Sequence, residues 1–303
     1  KIVFMGTPEF AVPSLEALKE TNYNISVVYS QPAKKANRGQ KLVSSKIEIA
    51  AKKLSLNVRT PLTLDNETEY NFLKSIKPDI VIVVAYGKII PKRFLKIPKY
   101  GFINLHASLL PKWRGAAPIQ RSIMNLDSET GVSIMKIVED LDAGPVMHQD
   151  RININENVDS QVLTEILSKI GAKSIIESIK KIEKGEANFT EQDHEKATYA
   201  KKISKNESEI KWDQNANLIL AKINGLNPNP GAWFKYKNER YKLLKAKISN
   251  AGGTQGTTID NNLTIACKDK SISILEIQKE GKSKQSIDKF LLGNKIPIGE
   301  KIL

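Results

Sequence analysis

The run Val81-Ile82-Val83-Val84 is the feature that most constrains the fold, because it is continuously apolar and β-branched. A strand with apolar side chains on both faces is typical of a parallel sheet covered by helices on both sides. Similar runs alternate with helical patterns through the first half of the chain. We therefore predict an α/β domain, a parallel or mixed Rossmann-like sheet with flanking helices and with strands at 2–5, 25–29, 79–85 and 101–105.

Apolar residues at spacings of three and four predict the helices of this domain, at 45–54, 67–76, 117–125 and 159–182. Thr7-Pro8-Glu9 has the pattern of a helix start, with a capping hydroxyl followed by proline at the first helical position. The same turn lacks the glycine-rich fingerprint of a dinucleotide site, and the chain has no Walker-type lysine motif. The sequence therefore argues against a nucleotide cofactor.

A length of 303 residues favours two domains. The chain becomes polar and charged after Ile182, and we predict a catalytic domain over 1–184, a linker over 185–206 and a second domain over 207–303. The second domain contains short alternating segments separated by Asn, Gly and Lys turns, which predict a β-barrel of the oligonucleotide-binding type. Its expected strands are 233–236, 241–246, 257–260, 263–267 and 272–277, beside a short helix at 218–223.

Positive charge is concentrated at the two ends of the chain, whose formal net charge is +14. Basic and acidic residues number 17 and 8 over 1–100, 11 and 15 over 101–200, and 19 and 10 over 201–303. Basic flanks around a central site suit a polyanion such as nucleic acid. However, only seven of the 47 basic residues are Arg, and an AT-rich genome produces Lys-rich proteins without selection for binding. Charge alone leaves both interpretations open.

Composition also limits the compartment and the chemistry. No run approaches the ~18 apolar residues of a membrane span, and because the first residues form a strand pattern we expect no signal segment. The single Cys267 excludes an internal disulfide and is typical of a buried thiol in a reducing compartment. The three histidines are far apart, without a cysteine or carboxylate cluster, so we expect no metal site. We expect a cytoplasmic protein with no membrane association.

Asn104 and His106 form the candidate reaction centre. They end a predicted strand and are two residues apart, so their side chains point to the same face. A carboxamide can stabilise an oxyanion and an imidazole can move a proton, but the imidazole needs a partner to hold it. Asp142, in a loop that ends with Gly144-Pro145, is the expected partner. The three groups suit acyl transfer to an amine, although an isolated Asn or His near a strand end is more often structural.

The chain resembles the methionyl-tRNA formyltransferases in three segments, namely Asn104 to Pro118, Phe4 to Pro13 and Glu139 to Pro145. The resemblance covers essentially the whole chain. The Asn-x-His and Asp-x-Gly elements occur across folate-dependent formyltransferases and indicate the chemistry rather than the acceptor. The run Arg114-Gly115-Ala116-Ala117-Pro118 is more selective. The related glycinamide ribonucleotide formyltransferases usually lack that arginine and have no barrel domain.

The resemblance implies transfer of a formyl group from 10-formyltetrahydrofolate to the α-amino group of methionine on initiator tRNA. We expect the protein to act as a monomer. The resemblance also implies that Asn104, His106 and Asp142 are catalytic. The segment 108–111 would bind the folate, in agreement with an apolar loop that could hold a flat and partly apolar molecule. The folate-binding residues would be Ser108, Leu109, Leu110, Pro111, Tyr86, Gly87, Ile89, Val138 and Asp140.

A long basic insertion, 31–45, follows the second predicted strand, and composition alone favours a solvated surface loop. By resemblance it enters the acceptor end of the tRNA, with Arg38 as the principal arginine. Such a loop could order against phosphates and gain affinity by releasing counterions. Lys35-Ala36-Asn37 departs from the proline, glycine and arginine common in relatives. The implied tRNA-binding residues are Arg38, Lys34, Lys35, Lys41, Lys201, Lys202 and Lys205.

Two alternatives remain open at the level of sequence. A sugar-nucleotide formyltransferase has a closely similar Leu-Leu-Pro-x-x-Arg-Gly run and acts on an amino sugar, but such proteins generally continue into a dehydrogenase domain with a dinucleotide fingerprint. An RNA-binding module with a degenerate α/β domain would need no reaction centre. The presence of Asn104, His106 and Asp142 together argues against that second alternative.

Overall fold

The structure is a computed structural model that describes residues 1–36, 41–155 and 157–302. The chain forms two compact units, each assembled from separate stretches. The first comprises Lys1–Gly115, Gly131–Ile152 and Thr164–Tyr199, and the second comprises Ala116–Thr130, Asn153–Leu163 and Ala200–Leu303. The segment 185–199, which follows the long helix described below, is part of the first unit.

Both units contain helices, and both contain strands. The strands are β1 (Ile2–Gly6), β2 (Ile25–Tyr29), β3 (Lys34–Ala36), β4 (Lys41–Val43), β5 (Val58–Arg59), β6 (Ile80–Val84), β7 (Phe102–His106), β8 (Arg114–Gly115), β9 (Glu129–Lys136), β10 (Val146–Asn153), β11 (Tyr199–Ala200), β12 (Ala232–Tyr236), β13 (Glu239–Ser249), β14 (Thr264–Ala266), β15 (Ser271–Lys279) and β16 (Gln285–Ser286). The helices are α1 (Val12–Lys19), α2 (Lys46–Lys53), α3 (Glu67–Ile76), α4 (Pro118–Met124), α5 (Ser160–Lys184), α6 (Ala216–Leu226) and α7 (Ile287–Gly293).

A seven-stranded mixed sheet forms the centre of the first unit, with the order β10-β9-β7-β6-β1-β2-β5. The strands β5, β2, β1, β6 and β7 run parallel, and β9 pairs antiparallel with β7. All five residues of β6 are buried, as the continuous apolar run predicts. The predicted Rossmann-like α/β class is confirmed, and the four predicted strands match β1, β2, β6 and β7 to within one residue at each end.

The predicted capping role of Thr7 is wrong. Residues Glu9–Ala11 form a 3-10 turn whose N-cap is Pro8, without a side-chain cap, and α1 begins only at Val12. The Thr7 hydroxyl instead donates a hydrogen bond of 2.7 Å to the carbonyl oxygen of Tyr86. A tertiary partner on the segment that follows β6 therefore displaces the local capping bond.

The second unit contains a five-stranded antiparallel sheet in the order β12-β13-β15-β14, with β16 paired to β15. The predicted strand at 257–260 is wrong: Thr257 and Thr258 make only isolated bridges, to Lys301 and Ile265. The Asp260 carboxylate ends this segment by accepting the backbone N–H groups of Asn262 and Thr264, both at 2.9 Å. This turn geometry competes with extension of a ladder.

Burial inside the second unit makes Cys267 unreactive. Its side chain is 5% exposed, and burial, with Asp269 as a smaller contribution, raises the pKa of the thiol to about 12. Because the thiolate is the nucleophile, we expect no labelling by iodoacetamide at pH 8 in the native state and stoichiometric labelling in denaturant. Mass spectrometry measures both. Rapid labelling of the folded protein would contradict this placement.

Among the helices of the described ranges, none has the length and apolar character needed to cross a bilayer. The same ranges contain no group of three or more His, Cys, Asp or Glu side chains arranged to hold a metal ion.

Candidate active site

His106 is the last residue of β7, and its side chain is buried. Its Nε2 lies 2.8 Å from the carbonyl oxygen of Trp113. A carbonyl can only accept, so Nε2 carries a proton and donates it to this bond. The other nitrogen, Nδ1, lies 3.6 Å from Oδ2 of Asp142. Nδ1 is therefore the ring nitrogen available for proton transfer, and it faces a carboxylate.

Asn104 precedes His106 by two residues on β7, so the two side chains lie on one face of the sheet. In the ladder Asn104 pairs with Val83 of β6 and with Met135 of β9. Its carboxamide makes no hydrogen bond to any residue that the structure describes. A half-buried amide without a protein partner, beside a histidine, is available to donate to an oxygen of a bound molecule.

Asp142 adopts a left-handed backbone conformation with φ of 50°. A non-glycine residue there costs of order 1 kcal/mol or more and needs support from its surroundings. Its Oδ2 accepts the N–H of Gly115 at 2.8 Å, which aims the carboxylate toward His106. The predicted meeting of His106 and Asp142, 36 positions apart, is thus present in the structure.

The three residues 113–115 link these groups. Trp113 accepts the His106 bond, Gly115 donates to Asp142, and Arg114 lies between them with its side chain buried. The Arg114 guanidinium donates from Nε and Nη2 to Oε1 of Gln192, at 3.0 and 2.8 Å. Gln192 in turn donates from Nε2 to the carbonyl oxygens of Asp142 and Gly144, at 2.9 and 2.7 Å. His194 Nδ1 lies 3.4 Å from both terminal nitrogens of Arg114.

The loop 108–111 comes just after β7, and hydrogen bonds to Ser133 of β9 hold it in place. The Ser133 hydroxyl donates to the carbonyl of Ser108 at 2.6 Å and accepts the N–H of Leu110 at 3.1 Å. Gln149 Nε2 donates to the Leu110 carbonyl at 2.9 Å and to the same hydroxyl at 2.8 Å. These contacts fix the predicted folate-binding segment at the end of the strand that carries His106. Pro111 and Leu109 are half-buried.

The segment 86–89 follows β6. Because β6 runs parallel to its neighbour β7, this segment and the loop 108–111 leave the same edge of the sheet. Tyr86 and Gly87 are held through their carbonyls, which accept Gln31 Nε2 at 3.0 Å each. The Tyr86 ring belongs to the hydrophobic core, and burial raises the pKa of its hydroxyl. Ile89 is 91% exposed. Of this predicted group, Gly87 and Ile89 are accessible to a ligand, whereas the Tyr86 side chain is enclosed.

Lysine 88 shares this segment. Its Nζ donates to the carbonyls of Pro61 and Leu62. Burial, with the charge of Lys34 as a smaller contribution, lowers the pKa of the Lys88 amino group.

Val138 and Asp140, the last two predicted folate-binding residues, are exposed in the loop that leads to Asp142.

Known proteins are similar to this chain in sequence and in fold. A model of the family described as "Formyl transferase" matches residues 1–179, and one described as "Formyl transferase, C-terminal domain" matches residues 202–295. A methionyl-tRNA formyltransferase of Pelagibacter ubique is 54% identical over 100% of this chain and 98% of its own length. That of a Chelativorans species is 40% identical over 100% and 99%. The chain belongs to the methionyl-tRNA formyltransferase family.

Solved structures agree on the fold. The methionyl-tRNA formyltransferase of Clostridium thermocellum matches 82% of this chain and 94% of its own, with a TM-score of 0.58 and 19% identity. An N-formyltransferase of Helicobacter canadensis, solved with folinic acid and dTDP-3-aminofucose, matches 90% and 98%, with a TM-score of 0.70 and 19% identity. At these identities the likeness extends to the fold alone. The methionyl-tRNA formyltransferase relatives, at 40–54% identity, do not favour the sugar-nucleotide alternative.

The predicted tRNA-binding residues of this family member lie in two places. Lys34 and Lys35 lie on β3 and Lys41 on β4, which form an antiparallel pair, and all three are exposed. The insertion therefore includes a strand pair that the sequence did not indicate. Arg38 lies outside the described residues. The other predicted lysines, Lys201, Lys202 and Lys205, belong to the second unit and are exposed.

Gln192 and His194, which the structure brings to Arg114, were not predicted as site residues. Both fall in the polar segment that we predicted to be a linker. Their polar neighbours gave no periodic pattern, and Gln192 acts on backbone carbonyls that no motif specifies. Membership in the methionyl-tRNA formyltransferases directs attention to Arg114 but not to the residues that hold it.

Proposed function

We propose that this protein transfers the formyl group of 10-formyltetrahydrofolate to the α-amino group of methionine on initiator methionyl-tRNA, which yields N-formylmethionyl-tRNA for translation initiation. The single observation that supports it most is the 3.6 Å approach of His106 Nδ1 to Asp142, with Asn104 on the same face of β7. Family membership supplies the acceptor. The proposed site of action is the cytoplasm, where initiator tRNA is charged.

The chemistry needs three tasks from these residues. The neutral amine attacks the formyl carbon, and its carbon–nitrogen bond forms as the carbonyl oxygen gains negative charge. The Asn104 carboxamide would donate to that oxygen. The bond from carbon to the folate nitrogen then breaks, and the proton lost by the amine ends on that nitrogen. His106 would carry the proton at Nδ1, and the Asp142 carboxylate would stabilise the imidazolium.

A free α-amino group has a pKa near 8, so a sizeable fraction is already neutral at physiological pH. The ester bond to tRNA lowers it further. The demand on the base is consequently modest, which fits a histidine held by one carbonyl and one carboxylate.

We propose that the folate lies against the loop of Ser108, Leu109, Leu110 and Pro111. Several contacts support a rigid wall there, since Ser133 and Gln149 fix its backbone. Leu109 packs over Gly131, where a β-carbon in place of the glycine hydrogen would approach Leu109 Cδ2 to 2.7 Å. Gly87, Ile89, Val138 and Asp140 would complete the slot, and Tyr86 would contribute through its backbone. No metal takes part in this proposal.

For the tRNA we propose contacts from the basic insertion, through Lys34, Lys35, Lys41 and Arg38, and from Lys201, Lys202 and Lys205. Exposed lysines gain affinity for phosphates by counterion release and contribute little sequence reading. In this proposal the first unit, including residues 185–199 of the predicted linker, bears the folate and the reaction centre, and residues 207–303 bind the tRNA. A monomer suffices for both tasks.

Incubation with radiolabelled formyl-tetrahydrofolate and charged initiator tRNA tests the function. We expect label on the methionine of methionyl-tRNA. Uncharged tRNA tests the need for the amine, and a sugar-nucleotide amine and glycinamide ribonucleotide test the acceptor class. Label on either small molecule alone would overturn the proposed acceptor.

A further inference from the structure

We propose that Gln192 is a positioning residue for formyl transfer, which holds the Asp142 carboxylate at the His106 imidazole by tying the Asp142 loop to Arg114. The inference rests on the proposed function and assigns a role to a residue in the segment after α5. It concerns the placement of Asp142 and not contact with a substrate.

The orientation of the Gln192 carboxamide is unambiguous. Its oxygen faces two N–H groups of Arg114, which has only donors, and its nitrogen faces two carbonyl oxygens, which only accept. Exchanging oxygen and nitrogen would break all four bonds. The side chain is 7% exposed, so water cannot easily replace a lost partner.

Asp142 occupies a left-handed conformation, which Asp tolerates better than most residues when hydrogen bonds hold its side chain and backbone. Two of its atoms are held: Oδ2 by Gly115 and the carbonyl oxygen by Gln192. Gly115 bonds Asp142 directly, and Arg114 is linked to it through Gln192. Because Gly115 and Arg114 are consecutive, both links fix the Asp142 loop to one short segment. The neighbouring Trp113 holds His106. Residues 113–115 therefore set the distance between the two catalytic groups, and Gln192 provides one of the links.

The Gln192 segment is itself fixed to that frame. Trp113 N–H donates to the Thr198 hydroxyl at 2.9 Å, and Arg114 N–H donates to the Thr198 carbonyl at 2.8 Å. Thr198 N–H donates to the Pro111 carbonyl at 3.2 Å. The backbone that follows Gln192 is thus held independently of its side chain. A change confined to the carboxamide should affect the Asp142 loop first.

Two substitutions separate positioning from simple packing. Gln192→Glu keeps an acceptor for Arg114 and adds an ion pair, but a carboxylate cannot donate to the Asp142 and Gly144 carbonyls. Gln192→Met removes both sets of bonds at similar volume. We expect each substitution to lower kcat roughly 10- to 100-fold, because the Asp142 and Gly144 carbonyls lose their shared hydrogen-bond donor, and to leave the KM values for folate and tRNA within about threefold of the wild type. Gln192→Glu should retain the thermal midpoint of the wild type more closely. The exposed Gln161→Met serves as the matched control with unchanged kinetics.

A double-mutant cycle with Asp142→Asn tests whether Gln192 acts through Asp142. If it does, Gln192→Met in the Asp142→Asn background lowers kcat by no more than about twofold further, because the residue that it positions has already lost its charge. An undiminished further loss in that background would overturn the proposal. A wild-type kcat for Gln192→Glu or for Gln192→Met alone would also overturn it.

A crystal structure of Gln192→Met keeps the inference testable apart from the proposed function. We expect the Asp142 loop to shift and the distance from Oδ2 to His106 Nδ1 to exceed that of the wild type. An unchanged loop would overturn the inference even if the protein transfers formyl groups. A wild-type protein that forms no formylmethionyl-tRNA would overturn the function, while a shifted loop would still support the role of Gln192 in positioning Asp142.

Discussion

We expect His106→Ala to lower kcat for formyl transfer roughly 10³-fold, as loss of a positioned proton carrier does. Nδ1 is the ring nitrogen that faces Asp142, because Nε2 donates to the Trp113 carbonyl. Alanine removes both nitrogens, so the Asp142 carboxylate keeps its bond from Gly115 but no longer faces an imidazole. Binding of the tRNA should change little, since the exposed lysines proposed for that task lie on other elements. Steady-state kinetics and a filter-binding assay measure the two quantities.

A second variant and a control keep this result interpretable. His106→Gln retains a side-chain amide that can reach the Trp113 carbonyl, and so preserves that contact, but it cannot carry a proton at neutral pH. We expect it to fold and to be as inactive as alanine. His148→Ala is the matched control, because His148 contacts only Asp150 at 3.0 Å among the acidic side chains of the described residues. Substantial turnover by His106→Gln would exclude proton transfer at this residue.

The sequence predicted the elements that present the reaction centre because their signals are local. The β-branched run of β6 and the two-residue spacing of Asn104 and His106 depend only on strand geometry. The helix predicted at 67–76 agrees with α3 at both ends, where the structure shows Asn66 as the N-cap and Lys77 in a left-handed conformation. Such features need no knowledge of distant residues.

Other features depend on contacts that no local pattern encodes. Thr7 and the residues after it have the pattern of a helix start. However, the Thr7 hydroxyl donates to the carbonyl oxygen of Tyr86, 79 positions away. Asp142 was placed by its turn and by resemblance, whereas its conformation depends on Gly115 and Gln192. A polar residue becomes important here because it satisfies backbone groups of a remote loop, and a single sequence gives no sign of such pairings.

The Asp142 loop yields the second large effect, through Gly144. We expect Gly144→Ala to lower the free energy of unfolding by about 3 kcal/mol and to reduce kcat at least as strongly as the Gln192 variants. A β-carbon at Gly144 would lie 2.0 Å from the Lys136 carbonyl oxygen, a backbone atom that cannot rotate away. The loop or the end of β9 must therefore move. Either movement disturbs the Gly144 carbonyl that Gln192 binds, two residues from Asp142.

Gly293→Ala provides the control for this prediction, because it lies at the end of α7 and a β-carbon added there would have no atom within 4 Å. Alanine is the better helix former, so this variant should be as stable as the wild type or slightly more so. Urea unfolding gives the free energies, and kinetics at a temperature where Gly144→Ala remains folded separates stability from turnover. A folded Gly144→Ala protein with wild-type kcat would show that the Asp142 loop tolerates displacement. In that case the geometry of residues 142–144 could not be what aligns the carboxylate with His106.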